Sequence, residues 1–553
     1  MPSVAFVGAG PTTIYTLHAL LNEASGAFAV TIFEEQSKAG LGTPYRPGWN
    51  DPAMLSNIAS LEIPPLGETL VDWLRRQPHD RLVARGVDPD AIDERAFYPR
   101  LMLGDYFYDR FNAMVAAARQ RGACVDVRTR CRVTDIASET DGMLLTIRPR
   151  HGAVSEERFD YAVLATGHQW PDDPEVRPGY FLSPWPASAL ARIPPSSVGI
   201  RGSSLTAIDA VVALAVAHGE FIEDGEDGLR YAPAADTDAL DITMMSRKGL
   251  LPEADFFHPL PYEPLSACTP EAVERLIASG EDDLLDPSFA LFKEELANAD
   301  PAYARKTGLP DLALEDFCER YFADRTETDP FEWARTNLKE AQANQAKRFT
   351  VPWRYAILRM HEVMALLVPH LNEVDFQRFT RQFKPIFVDD YATVPHESIK
   401  RLLALHGAGK LAIAAIGDGY RIDSRGDESG AVLMLDGERR HFPVFIEATG
   451  ERPLAAKDFP FPSLRRQGIV RDAEPASSGK AVRGIVIDDE FHPLADDGPA
   501  DRLFCLSLPF LLGRHPFIQG ITSSHEMGEI VGKELAAALF RSGTAQQADE
   551  EPV

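Results

Sequence analysis

The sequence predicts an α/β protein with two parallel-sheet domains of the Rossmann kind and a helical insertion. Three observations carry this expectation. An apolar strand runs into a glycine turn and a helix at "VAFVGAGPTT" (residues 4–13), and a looser copy of that turn follows at "GIRGSSLTAID" (199–209). Two further strands end in the same small residues, "VLATGH" (163–168) and "FIEATG" (445–450). From about Pro270 to Phe379 apolar residues instead recur three and four apart, the period of an amphipathic helix.

Length and charge bound the rest. A chain of 553 residues exceeds one ordinary core, so two or three domains are expected. The 83 acidic against 56 basic residues give a formal charge of −27, which repels a phosphate backbone and an anionic membrane alike. Neither nucleic acid nor a membrane is an expected partner. No apolar run approaches the roughly 18 residues of a membrane span, and no basic segment precedes the first apolar run. Cys124, Cys131, Cys268, Cys318 and Cys505 are scattered and form no C-x-x-C pair, as reduced thiols of a cytoplasmic protein would be.

In the first turn, Gly8 and Gly10 occupy the first two glycine positions of G-x-G-x-x-G, and Pro11, Thr12 and Thr13 open the helix. The first glycine allows the tight turn. The second lets backbone amides approach a pyrophosphate at the helix N-terminus. Thr13 stands at the third glycine position and is expected to loosen helix against strand. The next strand, "AVTIFEE", ends in Glu34 at the distance suited to a ribose. A dehydrogenase would continue into another helix. Here "KAGLGTPYRPGWNDPAMLSNIASLEIPPL" follows, with Gly42 and Asn57, and then Arg100 in "FYPRLMLGDYFYDRF". Such a segment can fold back over a flavin, with Ala165, Thr166 and Gly167 letting the chain pass close to the dinucleotide.

The second turn departs from the first. Gly202 opens it and Ser203 follows, but Ser204 stands where the second glycine belongs and Ala207 at the third position. The next strand ends in Ser246, Arg247 and Lys248 instead of an acid, which suits the 2′-phosphate of NADPH, although an ordinary solvated strand end reads the same way. Thr449 and Gly450 repeat the small-residue strand end. Toward the C-terminus a strand is expected to end near Leu508, and a helix to start between Ser523 and Glu526 with Ser523 or Ser524 as N-cap. Within the helical insertion, His361 and His370 lie too far apart for a two-histidine metal face, so no metal is expected.

Taken in order, "GAGPTT", "GLGTPY", "MLSNIA", "FYPRLMLGDY", "LATGH", "SPWP", "GSSLTAID", "SRKGLLP" and "EATGERP" resemble the two-dinucleotide flavoproteins of the FAD-NAD(P)-binding group, related to the N-hydroxylating and other class B flavin monooxygenases. The resemblance covers most of the chain. It implies FAD held by the N- and C-terminal segments and NADPH by a domain inserted between them. It also implies that the start of the last helix, with Thr522 and Ser523, faces the flavin, where Arg514 and His525 are the nearest polar candidates for catalysis. The Baeyer-Villiger spacing F-x-G-x-x-x-H-x-x-x-W is missing from "RPGYFLSPWPASAL", which argues against ketone substrates.

The implied organisation is an FAD domain in residues 1–185 and 431–541, an NADPH domain in 186–265 and 381–430, a helical insertion in 266–380, and a polar tail in 542–553 taken as disordered. The implied reaction uses NADPH and molecular oxygen to oxygenate the nitrogen of an amine or small amino-acid-like substrate through a C4a-hydroperoxyflavin. An NAD(P)H oxidoreductase without oxygen insertion and a non-catalytic flavin-binding protein share the same motifs.

Overall fold

The computed structural model describes residues 1–171, 173–225, 228–473, 482–496, 498–518 and 520–548. The parallel strands that bear on the site are β1 (Ser3–Val7), β2 (Ala29–Glu34), β3 (Cys124–Thr129), β4 (Tyr161–Leu164), β5 (Ser197–Arg201), β6 (Asp241–Ser246), β7 (Leu411–Ala415), β8 (Val444–Glu447) and β9 (Leu503–Cys505). The helices that bear on the site are α1 (Pro11–Glu23), α2 (Leu205–His218), α3 (Leu314–Thr326), α4 (Pro330–Lys347), α5 (Pro352–Leu367) and α6 (Gly520–Ala548).

The chain forms two compact units, Met1–Pro47 with Ile58–Gln169 and Glu451–Val553, and Gly48–Asn57 with Trp170–Gly450. In the first, five parallel strands lie in the order β9-β4-β1-β2-β3. Their near-continuous apolar runs are those of strands covered on both faces: Val4, Ala5, Phe6, Val163 and Leu164 are fully buried. An antiparallel sheet of Cys131–Glu139, Gly142–Pro149 and Ser155–Phe159 intervenes between β3 and β4.

The second unit repeats the plan with β7-β6-β5-β8 followed by Tyr180–Phe181, all parallel, and an antiparallel edge strand Glu175–Arg177. Helix α2, "LTAIDAVVALAVAH", is apolar almost all round and accordingly buried from Ala207 to Ala215. An antiparallel sheet of Arg421–Asp423, Ala431–Leu435 and Glu438–Phe442 precedes β8.

The domain boundaries differ from those expected. The first unit gives way at 169/170 instead of 185/186, and the segment Gly48–Asn57 belongs to the second unit. The return at 431 moves to 451, because β8 pairs in register with β5 from Val198↔Val444 to Arg201↔Glu447 and so completes the second sheet. The helices expected in 266–380 continue through Lys384–Tyr391 and His396–Gly407, so the return segment placed at 381–430 begins as helix. Helix α6 starts at Gly520, which makes Ser523 and Ser524 first-turn residues and not N-caps: the Ser524 Oγ donates back to the Gly520 carbonyl at 3.0 Å. It also runs on to Ala548, into the stretch taken as disordered, while 549–553 fall outside the described residues.

Candidate functional site

The first turn is built by crowding. Gly8 has φ +102°, and a Cβ there would stand 2.3 Å from the Ala165 carbonyl oxygen at the end of β4. The Ala165 amide donates to the Val7 carbonyl at 2.9 Å, so the "ATG" strand end is what closes on the glycine. Gly10 is different. Its backbone is ordinary extended chain, φ −86° and ψ −173°, and a Cβ would approach Gly42 Cα at 3.3 Å. Gly42 in turn has φ +74° and lies against Pro11, so Gly10 and Gly42 together keep open the space at the start of α1. Helix α1 has no side-chain cap there, which leaves its first amides available to an anion.

Thr13 does not loosen the turn as expected. Its hydroxyl donates to the Gly8 carbonyl at 2.8 Å and is fully buried, so the third position ties helix to turn by a hydrogen bond. The close packing that a third glycine would give is supplied by α6. Cβ atoms at Gly528 and Gly532 would lie 2.8 Å from the Thr16 amide and 2.5 Å from the Ala19 Cβ. With Thr12 Oγ1 3.1 Å from Ser524 Oγ, the two helices run parallel with their first turns side by side, α6 starting slightly ahead of α1. Their positive dipole ends therefore add. In the sequence the spacing "GEIVG" (528–532) is the signal for this close approach.

Glu34 closes β2 as expected. One carboxylate oxygen accepts from the Ala9 amide at 3.2 Å, inside the turn, and the other from the Gln36 amide at 2.8 Å. Burial raises its pKa, against the lowering effect of these amides and of Arg46. Thr166 meets Ser507 at 2.8 Å, hydroxyl to hydroxyl, and Gly167 has φ +68° with open space around it. Beyond it, His168 Nδ1 lies 2.6 Å from a Glu451 oxygen, and the Gln169 amide donates to the other at 2.9 Å, a pairing the sequence reading missed.

The remaining candidates of this region scatter. Arg100 opens the helix Arg100–Gln120 and is half-buried. Asn57 is exposed and lies in the second unit's segment. Thr522 is exposed and Ser523 buried. His525 packs edge-on to Tyr15 at 5.2 Å between α1 and α6, and burial lowers its pKa. Arg514 is half-buried beside His515, whose pKa is pushed down to about 4, first by burial and then by the Arg514 charge.

The second turn repeats the closure of the first. Gly202 has φ +135°, its Cβ would stand 2.2 Å from the Ala448 carbonyl oxygen, and the Ala448 amide donates to the Arg201 carbonyl at 2.8 Å. Ser204 precedes α2 with φ −105° and ψ −161°, close to the backbone of Gly10, and is exposed with no capping bond of its own; Ser203 is half-buried. Thr449 is exposed, and Gly450 has φ +82° with open space. Ser246 Oγ accepts from the Gly249 amide at 3.1 Å. Arg247 is exposed, whereas Lys248 is drawn aside, its ammonium 3.8 Å from the centre of the Phe322 ring in α3.

Where β1 and β4 end in the apolar pair Val7 and Leu164, β5 and β8 end in Arg201 and Glu447, which form an ion pair. Tyr180 donates to Glu447 at 2.7 Å, and these residues with Tyr420 and Asp418 line a cavity of about 540 Å³. Among the described residues, no group of three or more His, Cys, Asp or Glu is placed to hold a metal ion, and no helix is long and apolar enough to cross a membrane.

Two parallel sheets, each with a glycine turn closed by an "ATG" strand end, define an α/β protein of the two-dinucleotide flavoprotein type. Comparison with known proteins agrees. Residues 5–169 match the family model described as FAD-NAD(P)-binding, and residues 269–391 that of the YdhS-like middle domain. The chain is 41% identical over 545 residues to YdhS of Escherichia coli (strain K12), a protein described as uncharacterized, covering 98% of this chain and 99% of that one. It belongs to the YdhS family. Among solved structures it is similar in fold to the ornithine hydroxylase PvdA from Pseudomonas aeruginosa, with TM-score 0.52 and 14% identity over 97% of this chain and 99% of that one.

Proposed function

We propose that this chain is a flavin-dependent monooxygenase that holds FAD at the first turn, takes NADPH at the second, and oxygenates the nitrogen of an amine or small amino-acid-like substrate. The observation that carries the reading is the duplicated turn: the closure at Gly8 and Gly202 is the same, but an acid, Glu34, ends the following strand in one, whereas a basic pair, Arg247 and Lys248, comes directly after the last strand residue, Ser246, in the other. The open cradle of Gly10 and Gly42 at the uncapped start of α1 fits a pyrophosphate. Glu34 fits the ribose hydroxyls of the same dinucleotide, and Arg247 a 2′-phosphate of the other. The similarity of fold to an ornithine hydroxylase supports the choice of an amine nitrogen.

FAD and NADPH supply the hydride transfer and oxygen activation of such an enzyme. The chain supplies the rest. The amides of α1 and the joint N-termini of α1 and α6 bind and orient negative charge. Thr13 and Thr166 hold the turn and the strand end in place through Gly8 and Ser507. The test is a screen of amines and amino acids with NADPH in air, measuring hydroxylamine or nitroso product against hydrogen peroxide. Coupled nitrogen oxygenation of at least one amine is the expected result. Peroxide alone with every candidate, together with rapid reduction of another electron acceptor, would replace the reading with an NADPH oxidoreductase that inserts no oxygen.

A further inference from the structure

The helical insertion is joined to the basic end of β6 by a dense set of polar bonds. Immediately after Arg247 and Lys248, the Leu251 carbonyl accepts from Arg325 Nη2 of α3 at 2.7 Å. The Glu253 carboxylate accepts from Trp333 Nε1 of α4 at 2.8 Å and pairs with Arg354 of α5 at 2.7 Å. The Ala254 amide donates to Asn337 Oδ1 at 2.7 Å, and the Glu253 carbonyl accepts from the Val394 amide at 2.9 Å. Arg325 also pairs with Asp389, and Arg354 with Asp390 at 3.2 Å.

These ionisable groups are out of water: Glu253, Arg325, Arg354 and Asp390 are 6%, 5%, 7% and 1% exposed. Burial pushes the Asp390 carboxyl up to about 8, while Arg354 and Arg325 outweigh burial at Glu253 and lower it. Such a cluster is a costly way to gain stability, and breaking one partner leaves an uncompensated charge. Its geometric effect is to fix where the loop of residues 249–254 runs. Phe322, from the same helix as Arg325, then meets the Lys248 ammonium at 3.8 Å. The ring face offsets the repulsion of two adjacent cations and the half-burial that lowers the Lys248 pKa.

We propose that the helical insertion sets the dinucleotide preference of this protein: through Phe322 and the buried cluster behind it, the insertion holds Lys248 and so positions the adjacent Arg247, which distinguishes a 2′-phosphorylated dinucleotide from an unphosphorylated one. This rests on the reading that the end of β6 meets the adenosine ribose. Arg247 is the binding residue, Lys248 and Phe322 are positioning residues, and selectivity lies in the insertion as much as in the strand end.

Calorimetric titration of the full-length flavoprotein with NADP⁺ and with NAD⁺ tests this without turnover. Arg247→Ala is expected to weaken NADP⁺ about tenfold or more and to leave NAD⁺ within about twofold. Phe322→Leu keeps an apolar side chain but removes the ring; it is expected to lose about 3- to 10-fold for NADP⁺ alone, and Phe322→Trp to retain the preference. If Phe322→Leu leaves the NADP⁺/NAD⁺ ratio unchanged while Arg247→Ala lowers it, the insertion is not the positioning element and the inference falls by itself. If Arg247→Ala also leaves the ratio unchanged, the strand end does not read the phosphate, and the assignment of the second turn falls with it. Phe322→Met, which likewise removes the ring and keeps an apolar side chain, gives the same comparison should Phe322→Leu fail to fold.

Discussion

The two glycine turns share their closure and differ in everything around it. Gly8 and Gly202 would each drive a Cβ to within 2.3 Å or less of a carbonyl oxygen, Ala165 in one unit and Ala448 in the other. Both have positive φ, and both receive a strand whose alanine amide bonds back across the sheet. These glycines are thus demanded by the fold before any ligand is considered. Two positions further on, Gly10 and Ser204 have nearly the same extended backbone, so the glycine at 10 is not a conformational need. It is a need for room beside Gly42. The comparison separates two roles that a G-x-G pattern merges: the first glycine closes the sheet, and the second marks where something must come close.

The largest effect belongs to the first role. Gly8→Ala and Gly202→Ala should each destabilise their unit by about 2–4 kcal/mol, since a Cβ at that distance from a carbonyl and at positive φ forces the backbone to move. Urea unfolding measures it. Similar losses at both sites are expected. Tolerance at Gly202 with collapse at Gly8 would break the comparison at its base.

Gly10→Ser is expected to separate the second role from the first by giving the first turn the residue of the second. Its backbone conformation suits serine, so stability should fall by no more than about 1 kcal/mol as the neighbours shift to admit a Cβ 3.3 Å from Gly42 Cα. Flavin should nevertheless be lost, because the side chain enters the space above the first amides of α1. The absorbance of purified protein near the flavin bands checks this. Full flavin in Gly10→Ser would mean that the cradle is not where the dinucleotide lies.

Much of this was legible in the sequence. Strand, glycine turn and helix declare themselves through an apolar run followed by two glycines, and the acid at Glu34 and the bases at Arg247 and Lys248 sit at readable distances from their turns. What escaped was whatever depends on a partner far along the chain. Gly528 and Gly532 look like helix interior until α1 is seen against them. Nothing local tells that β8 pairs with β5, and so the return to the first unit lies later than the sequence suggests. Glu253, Arg325, Arg354 and Asp390 are residue types that ordinarily stay in water, and only their mutual pairing makes burial tolerable. Thr13 departs from expectation for a different reason: a hydroxyl that bonds the Gly8 carbonyl does the work of a missing glycine by chemistry and not by size.

The smallest expected effect sharpens the comparison at the strand ends. Burial raises the pKa of Glu34, so the folded protein without ligand favours the protonated carboxyl, and the stability this group contributes is lost as pH rises through its raised value. Binding pulls the other way. Ribose hydroxyls donate best to the ionised carboxylate, so flavin affinity should fall as pH drops into the same range. Ultrafiltration of the flavoprotein across a series of acidic buffers, with flavin measured in the filtrate, follows this limb. Glu34→Gln should weaken binding by about 1.5–3 kcal/mol and flatten the limb, because a neutral amide neither titrates nor accepts as strongly. The second turn ends its matching strand in Ser246, which has no proton to lose in this range, and NAD⁺ affinity should show no such acid limb from that position. An acid limb of equal depth in Glu34→Gln would assign the titration to another group and leave Glu34 only as the brace of the Ala9 and Gln36 amides.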